Sequence, residues 1–428
     1  MTETPNPPKR ETMTEPTSPN GNNPSSGPLA GLVVCDLSRV LAGPYCSMLL
    51  ADLGATVIKI ESEAGDDTRT WSPPDADGVA TYYLSINRNK RSVTADFRDP
   101  DDVAMIHELF RRSDIVLENF KVGGLKKFNL DYESARTVND RLVYLSISGF
   151  GTEGGAGLPG YDLVVQAVSG LMSLTGDPDG PAYRAGISVF DVMTGMHGLI
   201  GVLAALEQRH RTGRGQHVEV NLLSSALSGL VNQTGAYVAG DVVPFRMGNA
   251  HPSVYPYLPL PAKDRDVIIA VGNDRQFRSL CQLLGIAEVA DDDRFRLNSD
   301  RADNRDELEP LLTAELAKWS ADELFMRLNT AGVPCGPINS IAEGVDLAER
   351  LGLHPRVTVG SEGGEGAVGR PVDLIRNPID FSGARVNYEL PPPSVGEHSD
   401  QIREWLSTEN AGIDQLLEHK AAGQGAAQ

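Results

Sequence analysis

The chain has 428 residues, more than one hydrophobic core usually supports, so two globular units are expected. A formal net charge of −20 argues against a nucleic-acid binder, because phosphate contacts need a basic footprint, and a polyanionic ligand would have to be met by local Lys and Arg clusters. Cys35, Cys46, Cys281 and Cys335 form no CxxC pair, no uncharged apolar run reaches about 18 residues, and the first residues are not basic-then-apolar. The expectation is therefore a cytoplasmic protein without disulfides, zinc site, membrane span or secretion signal.

Residues 1–27 are rich in Pro, Thr, Ser, Asn and Glu and bury too little surface to offset their ordering entropy, so a disordered tail is expected. From Gly31 two periodicities alternate. "GLVVCDLS" reads as a buried strand, "AGPYCSMLLADLGA" as a helix stopped by Gly54, and "TVIKIE" as a strand. "RSVTADF" is the next strand, and "DPDDVAMIHELFRRS" a helix opened by Asp99 and Pro100. "DIVLENF", "RLVYLSISGF" and "HVEVNLL" supply three more strands. This alternation predicts an α/β fold whose large domain is a Rossmann-like parallel sheet covered by helices on both faces. Its first turn, "DLSRVLAGP", lacks GxGxxG, and Arg39, Val40 and Leu41 obstruct the backbone approach a pyrophosphate needs. An NAD enzyme is not expected, although Glu61 ends the second strand.

"LVVQAVSGLMSLTG" reads as one helix capped by Asp162, and the strand-like "GISVF" runs into a long apolar helix opened by Asp191. Gly195, Gly198 and Gly201 lie on one face of that helix. Each costs about 1 kcal/mol against alanine, so a second backbone is expected to pack there. Near residue 240 the texture turns to Pro and Tyr, with one strand, "DVIIAVG", and helices at 275–285, 303–318 and 321–331. The expected layout is a large domain over 28–225, a linker and smaller α+β domain over 226–345, and a return of 346–428 to the large domain.

Asp191 has two compatible readings. As an N-cap its carboxylate accepts amide hydrogens of the first turn, which would keep it ionised. At the carboxyl end of a strand, the same carboxylate faces the edge where open α/β sheets bind ligands. The loop "SGFGTEGGAGLPGYD", closed by Tyr161 and Asp162, lets backbone amides approach a ligand or is simply a flexible connector. Two basic clusters, "INRNKRS" and "NFKVGGLKKF", either decorate the surface or hold a ligand's phosphates. His197 reads as a packing residue and His217 as a strand-opening histidine with no obvious ligand partner. No HxxxH or Cys/His spacing and no GxSxG occurs, so neither a metal site nor a serine hydrolase is expected.

As an ordered set, "GLVVCDLSRVLAGPYCSMLLADLGATVIKIE", "GDDTRTW", "NRNKRS", "LENF", "SISGFG", "PGYD", "ISVFDVMTGMHGLIGVLAALEQRHRTGRGQ" and "AGVPCGP" resemble the class III CoA transferases of formyl-CoA and carnitine type, from about residue 28 to the C-terminus. The resemblance implies an interlocked homodimer that moves CoA from an acyl-CoA to a carboxylic acid, with no cofactor beyond coenzyme A itself and no membrane or nucleic-acid partner. It places the catalytic aspartate on Asp191 and CoA contacts on Val40, Leu41, Ala42, Ala95, Asp96, Arg98, Asn119, Phe120, Lys121, Lys127 and Tyr161. Lys127 replaces a family arginine, which keeps charge but loses the bidentate fork. Ser62 also stands where the family has an arginine. Gly248 and Asn249 are candidates for oxyanion stabilisation, and Arg246 for gripping the second carboxylate of a dicarboxylic acid.

The related 2-methylacyl-CoA racemases carry a histidine where Tyr161 stands. A phenol of ordinary pKa near 10 is a poor base at neutral pH, which favours transfer over racemisation. A silent acyl-CoA-binding protein on the same scaffold is the third reading, against which the presence of Asp191 speaks.

Overall fold

The computed structural model describes residues 27–251, 253–361, 364, 366–409 and 411–417; apart from Gly27, the expected tail lies outside them. Six strands, β1 (Val33–Asp36), β2 (Thr56–Glu61), β3 (Lys90–Thr94), β4 (Ile115–Glu118), β5 (Val143–Ser148) and β6 (Gln216–Asn221), form one all-parallel sheet in the order β3-β2-β1-β4-β5-β6. The order reverses between β1 and β4, so a crevice opens beyond their carboxyl ends. The strands read as nearly continuous apolar runs because both faces are covered. On one face Ile106, Leu109 and Phe110 of α2 (Pro100–Arg112) pack on Val116 and Tyr144. On the other, α1 (Ala42–Asp52) and α4 (Val189–Thr212) cover Val34, Leu117 and Leu145.

Between them, α3 (Asp162–Val168) is shorter than expected: Gly170, at φ 97°, breaks the predicted helix before a second piece, Leu171–Leu174. The glycines of α4 seat it closely. A Cβ on Gly195 would lie 2.6 Å from the Ala42 carbonyl oxygen of α1, whereas Cβ atoms on Gly198 and Gly201 would meet Leu145 and Val218 side chains at 2.9 and 2.7 Å. By length and composition α4 would also suffice to cross a membrane, which the uncharged run between Asp191 and Glu207 is too short to reveal; here it buries Phe190, Leu199, Val202 and Leu206.

A second core surrounds an antiparallel sheet of β7 (Tyr257–Pro261), β8 (Asp266–Ala270) and β9 (Cys335–Pro337), with β8 in the middle. Phe277, Leu280, Leu312 and Leu324, from helices α5 (Asp274–Leu284), α6 (Arg305–Leu316) and α7 (Ala321–Thr330), pack onto it. Two of its three strands escape sequence patterning because Pro259, Pro261 and Pro337 lie in them. Both are edge strands, where a missing amide donor is tolerated. Beyond them, the hairpin β10 (Arg356–Val359) with β11 (Val372–Ile375) packs on Tyr83 and Leu84, and α8 (Ser399–Ser407) on the α2 side of the large sheet. Arg112 fastens α8 through the carbonyls of Trp405 and Leu406 at 2.8 and 2.9 Å.

Candidate active site

The site is built at the carboxyl ends of β1, β4 and β5, and its floor is a buried charge network. Asp36 ends β1 and receives Ser38, Ser47 and the Lys90 ammonium, while Lys59 of β2 binds the Ser38 carbonyl at 2.8 Å and Asp66 at 2.9 Å. Asp66 in turn accepts the Val40 amide at 3.3 Å. Val40 sits at φ 70°, a left-handed conformation that β-branched residues rarely adopt, costing about 1–3 kcal/mol. Asn119 clamps the preceding residue from across the crevice, accepting the Arg39 amide at 2.9 Å and donating to its carbonyl at 2.6 Å. The loop is thus held from both sides in the shape that admits it between β1 and β4.

This network absorbs features that read ambiguously in sequence. Glu61 is a buried acid engaged within the protein, bonded to Arg69, Ser92 and the Asp66 amide. The cluster at 88–91 lies inside the protein: Arg88 forks onto Asp52 at 2.9 and 2.7 Å and Lys90 is fully buried, so a phosphate-holding role is overturned for both. The second cluster is exposed, with Lys121 facing the crevice and the Lys127 ammonium 4.6 Å from the Phe128 ring centre.

Asp191 departs from its capping role. Residues 184–188 form no strand, the cap position falls on Ser188, and Asp191 is already within the first turn of α4. The capping carboxylate is Asp162. Its Oδ2 accepts the amides of Phe190 at 2.7 Å and Asp191 at 3.1 Å, so it caps α4 rather than its own helix. Among the described residues the Asp191 carboxylate receives no hydrogen bond. Burial, and then the charge of Asp162, push its pKa up to about 7 instead of keeping it ionised.

A cavity of about 320 Å³ opens at Asp191, lined by Val40, Leu41, Ala42, Phe120, Lys121 and the glycine-rich loop up to Tyr161. Arg39 and Phe120 also border a neighbouring cavity of about 730 Å³, where Ala95, Asp96, Arg98 and Ser62 lie beside the aromatic group of Phe97, Phe120 and Phe128. Asn119 lines the smaller cavity, but its amide is taken up by Arg39. Lys127 lines neither. Gly248, Asn249 and Arg246 are not at this site either: the Gly248 amide is bonded to the Gly176 carbonyl at 3.1 Å, and the Arg246 guanidinium to the carbonyls of Asp177 and Gly180 at 3.1 and 3.2 Å. His197 is satisfied by Ser225 at 3.0 Å, and His217 has partners, stacking on Tyr132 and meeting Ser146 at 2.9 Å.

Residues 29–399 match the model of the CoA-transferase family III. The chain belongs to that family. It is 44% identical to a succinate–glutarate CoA-transferase of Agrobacterium fabrum, over 89% of this chain and 96% of that protein. It is 37% identical to a mouse succinyl-CoA:glutarate CoA-transferase, over 93% of this chain and 91% of that protein. A solved CAIB/BAIF family protein from Brucella suis superposes with a TM-score of 0.80 at 42% identity, covering 90% of this chain and all of that one. This family III member is therefore a CoA transferase, an enzyme acting on CoA thioesters.

Proposed function

We propose that this enzyme moves CoA from succinyl-CoA to a dicarboxylic acid of glutarate type through covalent intermediates on Asp191. The observation that carries the reading is a carboxylate without hydrogen-bond partners among the described residues, at the mouth of a cavity floored by the Arg39–Leu41 loop. A desolvated carboxylate is a stronger nucleophile than a solvated one. The donor and acceptor classes follow the names of the two relatives.

In the reaction, Asp191 attacks the donor thioester carbonyl, the CoA thiolate leaves, and an acyl–aspartyl anhydride forms. The thiolate then attacks the Asp191 carbonyl of that anhydride, giving an aspartyl-CoA thioester and releasing the donor acid. The acceptor carboxylate displaces the thiolate from Asp191 to make a second anhydride. Return of the thiolate to the acceptor carbonyl gives the new acyl-CoA and restores the Asp191 carboxylate. The reacting end of CoA occupies the smaller cavity, and its nucleotide end the larger one beside Phe97 and Arg98. Lys121 contributes charge to the phosphates without bidentate geometry.

The large Rossmann-like unit and the smaller α+β unit act as two domains, with residues after 345 returning to the first. Two subunits interlock as a homodimer in the cytoplasm. Support for self-association comes from apolar side chains left uncovered along Val231–Gly240 and the segment after it: Val231, Tyr237, Val238, Val243 and Phe245 are each more than half exposed. Incubation of purified enzyme with succinyl-CoA and a panel of mono- and dicarboxylic acids tests the function. Formation of glutaryl-CoA or a related thioester is expected, and no transfer to any acid would contradict the reading.

A further inference from the structure

The segment leading into Asp191, residues 184–188, has no regular structure, yet it delivers the reacting carboxylate. Two buried side chains of α3 hold it. Gln166 donates through Nε2 to the Ile187 carbonyl at 3.1 Å and to Asp162 Oδ1, and it accepts the Ala185 amide on Oε1 at 2.8 Å. Asp162 takes the first-turn amides of α4 on its other oxygen. Asp162 is 6% exposed and Gln166 1%. One turn of α3 therefore grips the chain on both sides of Ser188.

We propose that Asp162, pinned by Gln166, is a positioning residue for the transfer: it fixes where the Asp191 carboxylate sits and sets a permanent negative charge beside it. This rests on the covalent role of Asp191 argued above. Repulsion between the two carboxylates is relieved whenever Asp191 is acylated, because the anhydride and the aspartyl thioester are neutral. The fixed charge therefore raises the free carboxylate relative to the intermediates and makes it the more basic nucleophile.

The titratable groups facing Asp191 are Asp162 from α3, the phenol of Tyr82 from the helix Thr81–Ile86, Tyr161, and Arg39 and Lys121 across the cavity. Only Asp162 adds negative charge at neutral pH. Burial is the larger cause of the Asp191 shift and Asp162 the second, so removing that charge lowers the titration only part of the way.

The test compares kcat against pH for the wild type, Asp162→Asn and Gln166→Leu. With a titration at about 7, wild-type kcat falls about tenfold from pH 8 to pH 6. Asp162→Asn keeps the shape and loses the charge; its acid limb is expected to move down by about one pH unit, leaving about a twofold fall. Gln166→Leu keeps the charge and loosens the segment; about a tenfold loss of kcat is expected, with an unmoved limb and an unchanged KM for acyl-CoA. A group that only stabilises the fold would change Tm and leave the limb in place. A folded Asp162→Asn enzyme with the wild-type limb overturns the proposal. Should that variant not fold, Gln166→Leu decides alone, and full kcat there overturns it. Borohydride trapping of the wild type runs alongside: no adduct on Asp191 means that the parent reading has failed, whereas an adduct with unmoved limbs sinks only the role of Asp162.

Discussion

Two regions at the same sheet edge treat carboxylates in opposite ways. Beneath the β1 loop, burial works against ionisation of Asp66, but Lys59 and Thr68 more than offset it and hold its pKa down to about 2. At the cavity mouth, burial acts on Asp191 with no cation bonded to it among the described residues, and Asp162 adds repulsion, so its pKa rises to about 7. The first region is saturated and fixes geometry; the second is left under-satisfied, as the proposed nucleophile requires. Burial alone does not separate a structural acid from a reactive one. The partner does.

The sharpest way to break that contrast is to remove one charged side chain from each region. Asp191→Ala is expected to lower turnover by about four orders of magnitude without lowering unfolding stability at neutral pH, read by a transfer assay and denaturant unfolding. Lys59→Ala is expected to do the reverse in kind: it strands Asp66 in the interior and costs about 3–5 kcal/mol, seen as a lower denaturant midpoint. A Lys59→Ala protein of unchanged stability would show that the network is dispensable.

Linkage sharpens the comparison. Asp66 titrates lower in the folded chain than unfolded, so its contribution is present above about pH 4 and fades as the pH falls towards about 2. Asp191 titrates higher when folded, so its contribution is full below about pH 4 and is lost as the pH rises through about 7. Replacing Asp191 by Asn is therefore expected to raise Tm relative to the wild type at pH 8 and to leave the two closer at pH 5. An equal difference at both pH values would mean that Asp191 is not desolvated. A smaller effect is expected at the rim: Lys121→Ala should raise KM for acyl-CoA about three- to tenfold, with weakened salt dependence and little change in kcat. The smallest belongs to Arg246→Ala, whose guanidinium is committed to the carbonyls of Asp177 and Gly180; about 1 kcal/mol of stability should be lost without any change in acid preference, checked by Tm and the acid panel.

The parallel sheet was legible because strands and helices alternate with clean periodicity and because Asp99 with Pro100 and Gly213 mark helix ends where the structure has them. What failed was long-range. "NRNKRS" looks like a surface cluster until Asp52, far away in sequence, is found beneath Arg88. Asp162 precedes a helix and reads as its cap, yet its carboxylate turns to a helix that begins at Val189, a contact no local pattern announces. The "ISVF" run has strand composition but pairs with no strand among the described residues, and Gln166 holds that segment instead. Asp191 lines the crevice at the carboxyl edge of the sheet, but it is not the N-cap of its helix, and its carboxylate receives no hydrogen bond among the described residues.

The most direct measurement is chemical trapping. The enzyme is incubated with succinyl-CoA, reduced with borohydride and digested, and the modified peptide is located by mass. The account predicts that the side chain of Asp191, within residues 184–209, is reduced to the corresponding alcohol. Reduction at any other residue, or an unmodified chain under turnover conditions, would contradict it.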